Sequence, residues 1–91
     1  MKDAPFLEKT VIDPESIIGT KWVAWTEFIG DRIRMEFVDK TNCIYTSEQK
    51  KYPLKYTVAE GEIMVSNIDG SLELRGDILF NNGFPAFEKA A

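Results

Sequence analysis

An all-β domain of about eight short antiparallel strands, running as a meander that closes into a small barrel, is predicted by three observations. From Thr20 onward apolar residues recur at period two rather than 3.6. Turn residues interrupt this alternation every eight to ten positions. The unit Val58-Ala59-Glu60-Gly61-Glu62-Ile63-Met64-Val65 returns fifteen positions later as Glu73-Leu74-Arg75-Gly76-Asp77-Ile78-Leu79-Phe80. Each copy reads as a strand, a tight turn at glycine plus an acidic residue, and a second strand starting on an inward apolar residue. Short turns make neighbours in sequence neighbours in space, and a long meander closes because an open edge invites pairing with other chains.

Residues 1–12 mix charges with Pro5, Phe6, Leu7, Val11 and Ile12 without a period and are read as an arm, leaving residues 13–91 as the barrel domain. Asp13-Pro14-Glu15-Ser16 carries helix-start signals: an N-cap, a proline suited to the first turn and an acid that complements the macrodipole. Gly19 ends it at once, so Pro14 to Ile18 is a single turn whose Ile17 and Ile18 plug one barrel end. Trp22, Ala24, Thr26 and Phe28 alternate with Val23, Trp25, Glu27 and Ile29 in the first strand. Gly30-Asp31 marks a turn, and Ile33, Met35 and Phe37 form the inner face of the second strand. Asp39 to Asn42 turns into a third strand with Cys43 and Tyr45 on one face. Beyond the polar connection 47–51, Tyr52, Leu54, Tyr56 and Val58 share a face, and Pro53 argues for an edge or a strand start. After the repeated hairpins, separated by Asn67 to Gly70, Asn81-Asn82-Gly83 makes the last turn and Phe84 to Glu88 a closing strand.

A chain of 91 residues is one domain, at a size where folding hides only somewhat more than about 60% of the unfolded surface. No apolar run reaches the roughly 18 residues of a membrane span. The first residues lack the apolar core of a signal peptide. A net charge of −4 argues against phosphate backbones as partners. Lys50, Lys51, Tyr52, Lys55 and Tyr56 are the one stretch that suits single-stranded nucleic acid, but alternation puts the tyrosines opposite Lys51 and Lys55. The chain has no histidine, which removes the commonest general base and metal ligand, so neither a catalytic nor a metal site is assigned, and no cofactor. The single cysteine, Cys43, reads as a small buried hydrophobe. The carboxylates Asp13, Glu15, Asp31, Asp39, Glu60, Glu62, Asp69 and Asp77 fall mostly in turns, as solvated turn residues do.

The run Ile17-Ile18-Gly19-Thr20-Lys21-Trp22, the repeated Gly-acidic-Ile turns and the ending Phe87-Glu88-Lys89 resemble the small lipocalin-like domains of bacterial envelope proteins. The resemblance covers residues 17–89. It implies a compact, frequently exported barrel with no enzymatic activity.

A noncatalytic binding or interaction module is therefore expected, with a carrier of a small apolar ligand as the alternative and a nucleic-acid-binding barrel as a second. For a carrier the interior residues Trp22, Met35, Phe37, Tyr45 and Tyr56 would line the site, with Phe28, Val65, Leu74 and Phe80 around them. Side chains this bulky fill a small barrel at normal packing density, which favours a solid core. For a protein partner or a second copy of the chain, alternation puts Val23, Trp25, Ile44, Met64 and Leu79 outward, with Ile29 and Phe87. So large an apolar face predicts a partner, or cover by the arm through Phe6, Leu7, Val11 and Ile12.

Overall fold

The computed structural model of the protein describes residues 8–25 and 33–90. Phe6, Leu7, Phe28, Ile29 and the Gly30-Asp31 turn lie outside the described residues. The elements in order are β1 (Lys9–Thr10), α1 (Pro14–Ile17), β2 (Lys21–Ala24), β3 (Ile33–Phe37), β4 (Asn42–Ser47), β5 (Lys50–Ala59), β6 (Glu62–Val65), β7 (Leu72–Arg75), β8 (Ile78–Asn81) and β9 (Phe84–Lys89). From β2 to β9 every strand pairs antiparallel with its successor, and β9 returns to β2 through Trp22↔Lys89, Val23↔Glu88 and Ala24↔Phe87. The result is a closed meander barrel, as the period-two pattern and the turn spacing predict.

One end is closed by α1. The Asp13 carboxylate accepts from Glu15 N–H at 3.0 Å and so caps the single turn. Gly19, at φ 84, lets the chain reverse sharply into β2, and its N–H donates to the Phe37 carbonyl at 2.7 Å. Ile17 is buried beneath the turn, and Trp22 packs beside it with Nε1–H donating to Thr20 Oγ1 at 2.9 Å. A buried indole needs such a partner. Phe37 and Tyr56 meet edge to face with centroids 4.9 Å apart, and the Tyr56 hydroxyl donates to the Asp39 carbonyl. Around these, Met35, Cys43, Ile63, Leu72 and Leu79 are fully buried, so this part of the barrel is solid.

The end of the N-terminal segment is built into the wall. Strands β6 and β7 pair only at Ile63↔Leu72, and where they part β1 lies along β7 as Lys9↔Arg75 and Thr10↔Leu74. Ile12, buried in the core, donates its N–H to the Gly61 carbonyl at 3.1 Å. Lys9 bridges outward to Glu62 and Glu73. Val11, by contrast, is exposed.

The last two strands present the opposite faces from those expected. Leu79 and Phe87 belong to the core cluster and are not on the outer face. Ile78 and Phe80 are buried but lie outside that cluster, on the face of Arg75 and Glu73, their cross-strand partners. The Arg75 guanidinium sits 4.9 Å over the Phe80 ring. Cover by this cation, together with its aliphatic stem, is how an aromatic ring is hidden on an outer wall.

Candidate functional site

Two concavities stand out among the described residues, and neither coincides with the residues the sequence groups together. The larger, about 1110 Å³, is an open groove on the outside of β2, β3, β4 and β5, edged by Lys21, Val23, Arg34, Glu36, Ile44, Thr46, Glu48 and Lys51. Register explains its lining: Val23↔Arg34↔Thr46↔Lys51 forms one row and Lys21↔Glu36↔Ile44 the next. Charged and apolar side chains therefore interleave, and Val23 and Ile44 are both half-buried.

Of the predicted outer set, only Val23 and Ile44 share that groove. Trp25 is half-buried and gives its N–H to the Ala86 carbonyl at 2.9 Å. Met64 is exposed on β6, across the barrel from β3, and Leu79 is in the core. The five do not form one apolar patch.

The smaller concavity, about 220 Å³, opens at the barrel end opposite α1 and is lined by Tyr45, Leu54, Asn67, Ile68 and Phe87. The ten-residue β5 creates it. Residues Lys50–Lys55 pair with β4, whereas β6 joins β5 only from Tyr56↔Val65 to Ala59↔Glu62. Past Lys55, whose carbonyl accepts from Ser66 N–H at 2.9 Å, the chain leaves β5 through Asn67 and Ile68. Leu54 of β5 and Ile68 of the β6–β7 connection thus meet at the opening, and Tyr45 and Phe87 complete its apolar lining. Four of the five lining residues are apolar or aromatic, with one exposed amide at the rim.

Of the predicted interior residues, only Tyr45 lines this pocket; Trp22, Met35, Phe37 and Tyr56 are packed in the solid part of the barrel. Leu54 shares the inward face with Tyr56 by alternation, whereas Phe87, expected outward, turns inward. Ile68, inside a polar turn, had no periodic signal, and what brings it to the mouth is its N–H bond to the Val65 carbonyl at 3.1 Å.

The pKa shifts of Cys43, Tyr56 and Asp39 are accounted for by burial, nearby charge and hydrogen bonding. Burial pushes the Cys43 thiol up to about 11, which leaves it protonated and unreactive near neutral pH. Burial, with Asp39 nearby, also raises the Tyr56 phenol. The Asn42 side-chain amide, with the backbone N–H of Thr41, holds the Asp39 carboxyl below its ordinary range, and the bonds of 2.8–3.0 Å pin the β3–β4 turn. Among the described residues no three histidine, cysteine or carboxylate side chains converge as a metal site requires. No described helix is long and apolar enough to cross a membrane.

No protein-family model matches the chain, and neither the curated proteins nor the solved structures give a significant match. The small closed antiparallel barrel is thus what stands from the resemblance noted in the sequence.

Proposed function

We propose that this barrel is a noncatalytic interaction module that receives one apolar group in the pocket between Leu54 and Ile68. The observation that carries this reading is the pocket itself: an opening of about 220 Å³ lined by Tyr45, Leu54, Ile68 and Phe87, beside a core cluster of closely packed buried side chains. Small-molecule sites usually enclose about 300–1,000 Å³. An engineered apolar cavity of about 150 Å³ is enough for a benzene ring. The size therefore favours one side chain of a protein partner over a free ligand, and the carrier of a small apolar molecule is the second reading. The lipocalin-like relationship, and the exported location it implies, belong to the same proposal.

Indole and toluene serve as probes of the pocket. Either is expected to shift the amide and methyl resonances of Leu54 and Ile68 and to raise the melting temperature. At ten times its dissociation constant a ligand adds about 1.4 kcal/mol of stability. Ile68→Trp, at the half-buried rim, should keep the fold and lose the response. Millimolar probe with no shift at Leu54, Ile68 or Phe87 would remove the reading.

A further inference from the structure

The opening at Leu54 is also a break in the hydrogen-bonded wall, and its edge is chemically specific. A two-residue turn at Glu48-Gln49 makes Ser47↔Lys50 a hydrogen-bonded pair. Alternation then aims the N–H and C=O of Lys50, Tyr52 and Leu54 at β4, and those of Lys51, Pro53 and Lys55 the other way. Lys55 agrees: its carbonyl accepts from Ser66 N–H at 2.9 Å and its own N–H donates to Ser66 Oγ at 3.3 Å. No described strand pairs with the Lys50–Leu54 portion of β5 on that side. The free edge therefore offers the Lys51 N–H and the carbonyls of Lys51 and Pro53. Proline stands where a second N–H would otherwise be left unpaired.

We propose that this edge binds an extended peptide segment by strand addition, with an apolar side chain in the Leu54–Ile68 pocket and acidic side chains on the outer face. The proposal rests on the pocket reading above and names its occupant. Strand addition takes affinity from main-chain bonds and specificity from pockets under alternate side chains. A peptide residue opposite Leu54 points to the inner face, where Tyr45, Ile68 and Phe87 wait. Its neighbours, opposite Pro53 and Lys55, point outward beside Lys55, and Lys51 lies on the same outer face of β5, so an acidic residue alternating with an apolar one complements the edge. Tyr52, 45% exposed beside Tyr45, offers apolar contact at the rim. A second copy of this chain paired edge to edge would set these lysines against each other, which disfavours self-association here.

The test uses the folded chain and short acetylated peptides of alternating aspartate and leucine. One control replaces leucine by serine; a second is N-methylated at the residues whose N–H would face β5. The leucine peptide is expected to bind, to slow exchange of the Lys51 amide and to shift Leu54 and Ile68. Each control should bind about tenfold more weakly, the equivalent of 1.4 kcal/mol. The double variant Lys51→Glu, Lys55→Glu, at two exposed positions of the outer face, should keep the fold and weaken the leucine peptide by a similar factor. Equal binding of the N-methylated peptide overturns strand addition, as does tighter binding of an oligothymidylate than of the leucine peptide. If no peptide binds while indole still shifts Ile68, this proposal fails and the pocket reading survives. If neither binds, both fail.

Discussion

The β5–β6 and β7–β8 hairpins share one sequence unit and turn opposite faces of it to the core. In the first, Glu60 and Gly61 are the two turn residues, at φ 55 and 77, so Ala59 opposes Glu62 and Val58 opposes Ile63. In the second, Gly76 and Asp77 make the turn, with positive φ only at glycine, so Arg75 opposes Ile78 and Leu74 opposes Leu79. The same glycine sits second in one turn and first in the other. Side chains alternate strictly along a strand, so this offset of one residue exchanges the buried and outer sets. Ile63 and Val65 are core residues, whereas their counterparts Ile78 and Phe80 lie outside the cluster; exposed Met64 corresponds to fully buried Leu79. A sequence repeat is thus not a structural repeat when the turn can slide along it.

The largest effect should separate Leu79 from Met64. Leu79→Ala is expected to cost about 2–5 kcal/mol, as removal of a buried leucine does. Met64→Ala, at the aligned position, should stay within roughly 0.5 kcal/mol. Denaturant unfolding of the two variants gives the comparison directly, and equal losses would break it.

Next comes the first turn's own constraint. A Cβ at Gly61 would lie 2.8 Å from Val11 Cγ1 and 3.2 Å from Val11 Cα, in a left-handed backbone. Gly61→Ala should therefore cost about 1–2 kcal/mol from the backbone alone and more from displacing Val11. Faster amide exchange at Thr10 and Ile12 would show the displacement, and unchanged exchange there would count against the contact.

A smaller effect of opposite sign is expected at Glu60. Asparagine tolerates the left-handed region better and suits the first position of such a turn, so Glu60→Asn should add about 0.5 kcal/mol. Arg75→Asn, at the aligned position, should destabilise instead, because Arg75 is in a strand, bonded to Glu73 and packed over Phe80. Thermal melts that move the same way for both would contradict the turn assignment.

The smallest effect is acid loosening of β1. The bond from Lys9, with a second from Ser71, holds the Glu62 carboxyl below its ordinary value of 4.5. Its contribution is therefore complete above that value and is lost as pH falls through the lowered one. Between about pH 6 and pH 3 the parent should lose slightly more stability than Glu62→Gln. Parallel pH profiles would mean that the contact adds nothing.

Alternation alone made the inner faces of β3 and β5 legible: Met35, Phe37 and Tyr56 are all in the core cluster. There polar residues such as Arg34, Glu36, Lys55 and Thr57 mark the outer face and leave one choice. In β6 and β8 three consecutive residues, Ile63-Met64-Val65 and Ile78-Leu79-Phe80, are all apolar, so the pattern permits either face. The pocket was less legible than the core. Tyr45 and Leu54 carry a periodic signal, whereas Ile68 comes from a turn and Phe87 from a strand next to a bulge, where alternation loses its count.

What the sequence by itself determined is the class and order of the fold. Period-two patterning, a helix-start signal before Gly19 and turn residues at short intervals admit a meander and little else. Tertiary structure decided which two residues make each turn, which face of β8 is buried, and where the wall opens. The physical reason is the same in each case. Local preferences are nearly equal for turns offset by one residue, so the choice falls to the packing of distant side chains. Leu72 and Leu74 must meet Leu79 and Phe87 inside a barrel that closes only one way.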